Sequence, residues 1–245
     1  MRADITFSVS GDPFVAKCLG KDSYRVFSHA GDSAKDGTPL TEVLSRSQVF
    51  CYSKVSPSEL ASLHALESYG FHLVDTNVQL RKNVSVWSSA SKHSDDSIRW
   101  AKPSDEQDVA RCAAEELTCS RFHLDPLVTA ESANGLKREW ARNYFLGKRG
   151  DAMVVAEREG RVVGFLQILC SEPKEWTIDL TAVSREFRRQ GLGRAMIEFA
   201  QAHYSEAENV LVGTQAANAG SISFYQSAGF QVVSMQHVFH YHGGS

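Results

Sequence analysis

The sequence predicts an α/β chain with a mixed, mostly antiparallel central sheet in its C-terminal part and a smaller α/β unit before it. Three observations carry the prediction. Ile178, Leu180 and Val183 alternate as in a strand, and after a basic loop with Gly191 and Gly193 the residues Ala195, Met196, Phe199 and Ala200 take the spacing of a helix with one buried face. Two apolar runs, 152–157 and 162–170, flank Arg158-Glu159-Gly160, which signals a hairpin. Upstream, apolar runs at 49–55 and 71–80 bracket Leu60, Leu63, Leu66 and Tyr69 in a strand, helix, strand order.

In chain order, the N-terminal helix is announced by Ser56-Pro57-Ser58-Glu59: an N-cap serine, a proline at the first helical position and an acidic residue three places on. It stops at Gly70. Residues 84–97 are serine-rich and poor in large apolar side chains, which predicts a linker between an N-terminal domain, 1–83, and a C-terminal domain, 98–245. Ser104 and Gln107 form a capping-box pair before a helix over 109–117, and 122–146 reads mostly as helix. Strands follow at 152–157, 162–170 and 176–183. After the basic loop and its helix come a strand at 210–214, a helix around Tyr225 and a last strand at 230–242.

With 245 residues, 42% of them hydrophobic, the chain has the material for a real core. Its net charge of -3, with basic side chains clustered at the glycine loop, argues against a nucleic-acid binder. No run approaches the roughly 20 apolar residues of a membrane span, and Met1-Arg2-Ala3-Asp4 leads into no hydrophobic signal core, so a cytoplasmic protein without a membrane partner is expected. Cys18, Cys51, Cys112, Cys119 and Cys170 are odd in number and form no CxxC pair, which points to free thiols. His237, His240 and His242 crowd the last strand. Alternation puts His237 on one face and the other two on the opposite face, so no three-histidine metal site is expected and no metal enters the chemistry.

The glycine loop carries the chemistry. Without Cβ atoms at Gly191 and Gly193, a phosphate can approach the amides of Gly191, Gly193 and Arg194 with the positive end of the helix dipole behind them, while Arg188 and Arg189 add fixed charge. An ordinary turn before a helix can also contain G-x-G, so the surroundings decide. Arg188, two residues, Gly191, any residue, Gly193 resembles the acyl-CoA loop of the GNAT N-acetyltransferases. The stretch from Asn218 through Phe224-Tyr225 to Gly229-Phe230 resembles the family's second element.

The resemblance implies the GNAT fold, acetyl-CoA as donor, and cofactor contacts from Ala182, Val183, Arg188, Arg189, Gln190, Gly191, Gly193, Arg194, Ala195, Asn218, Ser221 and Phe224, with Tyr225 near the thioester sulfur. The N-terminal unit, in which Tyr69-Gly70-Phe71 echoes Gly229-Phe230 but no glycine cradle occurs, reads as a degenerate half of the same fold that binds no CoA. Ser45 to Gln48, Ala65 to Asp75, Ser120 to Pro126, Glu139-Trp140 to Asn143 and Ile178 to Val183 also resemble the two-domain GNAT enzymes of the dTDP-fucosamine acetyltransferase type, which acetylate a nucleotide-linked 4-amino sugar.

A thioester and an amine require a neutral nucleophile, donors for the developing oxyanion and a proton for the departing thiolate. The resemblance gives the oxyanion an amide from a bulged strand carrying Ala182 and Val183 and makes Tyr225 the acid, against the alternative of a core tyrosine beside Phe224. Asp75 is the first choice of base and Asp179 the second, although either also fits a structural hydrogen-bond acceptor. Arg121, whose planar fork suits a diphosphate, His123, Asn143 and Trp140, which either stacks on a base or sugar or anchors its helix, are expected on the acceptor side. The expected partners are acetyl-CoA and a small amine on a nucleotide-activated sugar, with homodimerisation left open. A GNAT acting on another small amine or a protein amine shares the same donor site. A noncatalytic acyl-CoA sensor keeps the loop without needing Tyr225.

Overall fold

The computed structural model describes residues 5–30, 39–84, 97–172, 174–204 and 206–244, so residues 85–96 of the expected linker lie outside it. The N-terminal half comprises β1 (Ile5–Gly11), α1 (Pro13–Leu19), β2 (Asp22–Ala30), α2 (Leu40–Leu44), β3 (Val49–Val55), α3 (Leu60–Ser68) and β4 (His72–Asn83). The C-terminal half comprises β5 (Ile98–Trp100), α4 (Glu106–Glu116), α5 (Ala130–Phe145), β6 (Ala152–Arg158), β7 (Arg161–Glu172), β8 (Glu175–Val183), α6 (Leu192–His203), β9 (Asn209–Gln215), α7 (Ala219–Ser227) and β10 (Gln231–His242). All these strands join one sheet in the order β1-β2-β3-β10-β4-β9-β8-β7-β6-β5.

The two halves repeat a motif and exchange its last strand. In each, an antiparallel pair (β1 and β2, or β7 and β8) leads into a parallel pair (β2 and β3, or β8 and β9), then a helix and a long strand. Yet β10 lies between β3 and β4, and β4 lies between β9 and β10. The helix ends also correspond. Phe71 N donates to Leu66 O at 3.1 Å around Gly70 (φ +82°), and Phe230 N donates to Tyr225 O at 3.0 Å around Gly229 (φ +89°). Glycine takes that left-handed cap without strain. The echo expected from the sequence is this shared cap, and Leu66 holds in one half the position of Tyr225 in the other.

Alternation sorts side chains between two helical layers. Val49, Cys51 and Val55 pack with α2 and α3, whereas Phe50 and Tyr52 pack with α1 and α5. In the other half, Val154, Ala156, Leu166 and Ile168 pack with α6, and Met153, Val155 and Phe165 with α4. One layer therefore holds α1, α4 and α5, and the other α2, α3, α6 and α7. Strand β8 changes sides midway: Ile178 packs with α6, Leu180 and Ala182 with α4. The cause is a bulge at the Gln167/Ile168 step of β7, which leaves Asp179 as the extra residue. The bulge thus lies upstream of Ala182 and Val183, which keep regular partners in Phe165 and Gly164.

Several boundaries differ from the sequence expectations for local reasons. Helix α5 starts at Ala130, because Thr129 Oγ1 accepts from Ser132 N at 3.2 Å and the preceding residues turn around Asp125, whose Oδ1 accepts from Leu127 N at 2.9 Å. The Ser104–Gln107 box is replaced by Asp105, which accepts from Lys102 N at 2.7 Å and binds Arg99 through both oxygens. Helix α3 starts at Leu60, past the expected serine cap. The hairpin stands as read: Glu159 (φ +53°) and Gly160 (φ +74°) make a two-residue turn whose hand matches the strand twist. Among the described residues no helix is long and apolar enough to cross a membrane.

Candidate active site

Strands β8 and β9 are hydrogen-bonded only from Glu175↔Asn209 to Ile178↔Val212. Beyond that rung β8 continues to Val183 against β7, and β9 to Gln215 against β4. The strands part, opening a V in the sheet whose facing edges carry backbone groups with no ladder partner. Ala182 and Val183 lie on one limb. A one-turn helix, Arg185–Phe187, then leads through the loop to Gly191, the N-cap of α6, at φ +83°. The first-turn amides of α6 have no partner within the helix, and Arg188, Arg189, Gln190, Gly191 and Arg194 around them are exposed.

Two of these arginines also brace the loop. Arg188 donates from Nε to Val183 O at 3.0 Å and pairs with Glu116, and Arg194 donates to Ser227 O at 2.8 Å. Gly193 lets α7 close in, since a Cβ there would meet Phe224 Cζ at 3.1 Å. Asn218 Oδ1 caps α7 by accepting from Ser221 N at 3.1 Å, which leaves its NH2 to donate outward. Ala195 N closes the first turn of α6 on Gly191 O at 3.0 Å. A left-handed glycine, free amides, exposed guanidinium groups and parted strands together fit the diphosphate and pantetheine arm of an acyl-CoA.

Tyr225 lies in the core cluster that contains Ile178 and Val212, the last rung before the V. It is 3% exposed, with its ring 5.0 Å from Phe224 and 5.4 Å from Phe230. Burial pushes the phenol well above its ordinary value, so the group holds its proton at neutral pH, and its hydroxyl makes no hydrogen bond among the described residues.

Across the sheet, Asp75 sits on β4 one residue beyond the bond from Ala216 N to Thr76 O (2.8 Å) that prolongs the β4–β9 pairing, and so at the open end of the V. Burial raises its carboxyl above the usual range, against the pull of the Thr76 amide, Lys54 and Arg121. Asp179 stands on the other limb with its oxygens already used. It accepts from Arg149 at 2.7 and 2.6 Å, from Trp140 Nε1 at 3.1 Å and from Gln167 Nε2 at 3.1 Å. The reading of Asp179 as a base gives way to that of a structural acceptor.

Trp140 is correspondingly an anchor: besides bonding Asp179 it has Phe14 at its edge, 5.8 Å away, with Lys137 and Arg149 over its ring. His123 is also committed, its Nε2 donating to Asn134 Oδ1 at 2.9 Å and its Nδ1 accepting from Ser120 Oγ at 2.7 Å. Burial pulls its pKa down, consistent with this neutral form. The backbone oxygen of Asn143 turns the chain after α5 by accepting from Lys148 N at 2.8 Å.

Arg121 is the acceptor-side residue whose charge is paired with no carboxylate by an ion pair among the described residues. Its guanidinium lies 3.8 Å over Tyr52 and 4.3 Å over Phe122, and Nη1 donates to His240 Nε2 at 3.3 Å. His240 then donates from Nδ1 to Asp125 Oδ2 at 2.6 Å, an oxygen that also takes His242 Nε2 at 2.8 Å. Burial pulls His240 down to about 4, so the ring is neutral; against the opposite push of burial, the two histidine bonds hold Asp125 far below the usual carboxylate range. Alternation correctly paired His240 with His242, but the Asp125 partner was not foreseen; His237 is elsewhere, 2.9 Å from Thr76 Oγ1. The cluster is a hydrogen-bonded prop under Arg121.

Comparison with known proteins matches residues 114–230 to the Acetyltransferase (GNAT) family. The spore coat polysaccharide biosynthesis protein SpsD of Bacillus subtilis (strain 168) is 31% identical over 143 residues, covering 58% of this chain and 48% of that protein. The chain thus spans about half the length of this relative. Among solved structures, a GCN5-related N-acetyltransferase from Sphaerobacter thermophilus superposes with a TM-score of 0.62 at 15% identity, over 97% of this chain and 76% of that one. A tandem GNAT protein from the clavulanic acid biosynthesis pathway gives 0.59 at 15% identity, over 92% and 77%. At these identities the likeness concerns the fold, which is the GNAT fold.

Proposed function

We propose, from the premise that residues 114–230 form a GNAT acetyltransferase domain, that the chain transfers acetyl from acetyl-CoA to the amino group of a nucleotide-linked amino-deoxysugar of the 4-amino-4,6-dideoxyhexose type. The observation that carries the reading is the parting of β8 and β9 in front of a helix entered through Gly191. Acetyl-CoA bound there supplies an acyl thioester open to attack by an amine. Asp75, whose carboxyl burial raises above the usual range and so makes a better proton acceptor, takes the proton of the incoming ammonium. The backbone amide of Val183, which alternation turns to the free edge of β8 while that of Ala182 faces β7, stabilises the negative charge that develops on the carbonyl oxygen. Tyr225 holds the proton that the departing thiolate needs.

A sugar acceptor is supported by SpsD, whose name places that relative in polysaccharide biosynthesis, and by the guanidinium of Arg121, which pairs with no carboxylate among the described residues and acts on Asp75. The test is a thiol-release assay with acetyl-CoA against nucleotide-linked amino sugars, free amino sugars, polyamines and peptides. Turnover confined to the nucleotide-linked amino sugars is expected; turnover of peptides or polyamines alone would move the enzyme to another acceptor class. The donor half is checked separately with Gly191→Asp, which puts a side chain on a left-handed residue and a negative charge at the loop. Calorimetric titration with acetyl-CoA should show binding lost in a folded variant.

A further inference from the structure

We infer that Lys54, Arg121 and Lys137 form an anion subsite on the acceptor side of the sheet, built for the diphosphate of the acceptor. The inference rests on the nucleotide-sugar reading above and adds two residues to it. Tyr52 and Lys54 share a face of β3. Opposite them on β10 stand His240 and Val238, and Asp75 stands opposite Val238 on β4, so Lys54 and Asp75 belong to one cross-strand row. The neighbouring row carries Arg121, stacked on Tyr52 and bonded to His240. Lys137, 9% exposed, descends from α5 with Nζ 4.7 Å over the Trp140 ring.

None of the three cations makes an ion pair with a carboxylate among the described residues. The carboxylates around them have other duties: Asp12 accepts from Tyr52 at 2.8 Å and Val15 N at 2.9 Å, Asp125 holds two histidines, and Asp179 is filled by Arg149. Burial first, and the Arg121 charge second, pull Lys54 and Lys137 down to about 8; burial pulls Arg121 down to about 10, against the opposite pull of Tyr52 and Asp12. Cations drawn partly (Lys54, Arg121) or wholly (Lys137) out of water without an ion-pairing carboxylate are costly unless something supplies the opposite charge. The three cations outnumber Asp75 in their row, and the excess positive charge is opposite in sign to the charge that a diphosphate diester carries at neutral pH. The Arg121 fork suits two phosphate oxygens, and the lysines act as point charges on either side.

The experiment uses the full chain saturated with CoA, so that a diphosphate finds the donor loop occupied. Calorimetric titration with inorganic pyrophosphate and with thymidine diphosphate should each give single-site binding, tighter for the nucleotide. Lys54→Gln and Lys137→Gln should each weaken it by roughly tenfold or more, the value of one charge-assisted contact. Lys174→Gln, on the exposed β7–β8 turn, should bind as the parent does. Lys137→Met, an apolar replacement of similar length, keeps the test alive if a glutamine variant fails to fold. Absence of diphosphate binding to CoA-saturated protein, or unchanged affinity in both lysine variants, overturns the subsite while leaving the donor site intact. If CoA itself does not bind, the acetyltransferase reading falls, and the same titrations on the free protein judge the subsite alone.

Discussion

Replacing Tyr225 by Phe removes one oxygen and separates packing from chemistry. The ring is held between Phe224 and Phe230, contacts that a phenylalanine keeps, and the hydroxyl has no hydrogen-bond partner among the described residues. The hydroxyl is not among the fully buried polar atoms left without a partner in the described residues, so deleting it should change stability by less than about 1 kcal/mol. For a chain of this size 1 kcal/mol corresponds to roughly 2–4 °C in Tm. The expected Tm is therefore within roughly 2–4 °C of the parent's. As the acid for the leaving sulfur, the same hydroxyl should contribute about 10²-fold to kcat, equivalent to roughly 2.7 kcal/mol of barrier. Continuous thiol-release kinetics and differential scanning calorimetry on one preparation measure both, with KM for acetyl-CoA nearly unchanged. A variant that retains kcat within about twofold while its Tm falls would make Tyr225 a core residue and refute the acid role.

Asp75→Asn should lower kcat by about 10²-fold or more and abolish the acidic limb of the pH profile of kcat/KM. The base works ionised, so activity rises with pH through its raised pKa, and a limb that survives in the Asn variant rules out Asp75. Binding of thymidine diphosphate near pH 8, where its phosphates are already fully ionised, should be accompanied by proton uptake, because an anion raises the pKa of Lys54 and Lys137 back toward the ordinary lysine value. Arg25, Arg121, Asp75 and Asp179 face these lysines from their neighbouring elements, so titration in two buffers of different ionisation enthalpy is repeated on Lys54→Gln and Lys137→Gln, where the uptake should shrink; equal heats in the parent would contradict it. A fragment of residues 98–245 should not fold alone, since both partners of β10 and one partner of β9 are missing. Native-like circular dichroism with acetyl-CoA binding by that fragment would overturn the expectation.

The donor side was legible because its signals are local. Gly191, Asn218 and Gly229 each answer to a loop or cap within a few residues, and Gly193 answers to Phe224 of the second motif. The N-terminal edge carried equally local marks that went unread: Asp12 accepts from Val15 N at 2.9 Å, Pro13 starts α1 and Gly20 ends it at φ +65°. The acceptor side was read less well because its partners are distant in sequence. Asp125 meets His240 across 115 residues, and Trp140 meets Asp179 across 39. Lys54 and Lys137 carry no motif; a single lysine in a strand or helix reads as a solvated face until packing buries it. The bulge at Asp179 redirects the side chains of β8 without a glycine or proline to announce it.

The crossed placement of β4 and β10 bears on how the chain is made. Synthesis delivers β3 and β4 long before β10, the strand that finally separates them, so the early product must hold a gap or pair those strands wrongly and later undo the error. The last strand to emerge among those described enters the middle of the sheet. Shortening the chain from that side would remove a central stave, and with it the wall that carries both His240 and the row facing Asp75.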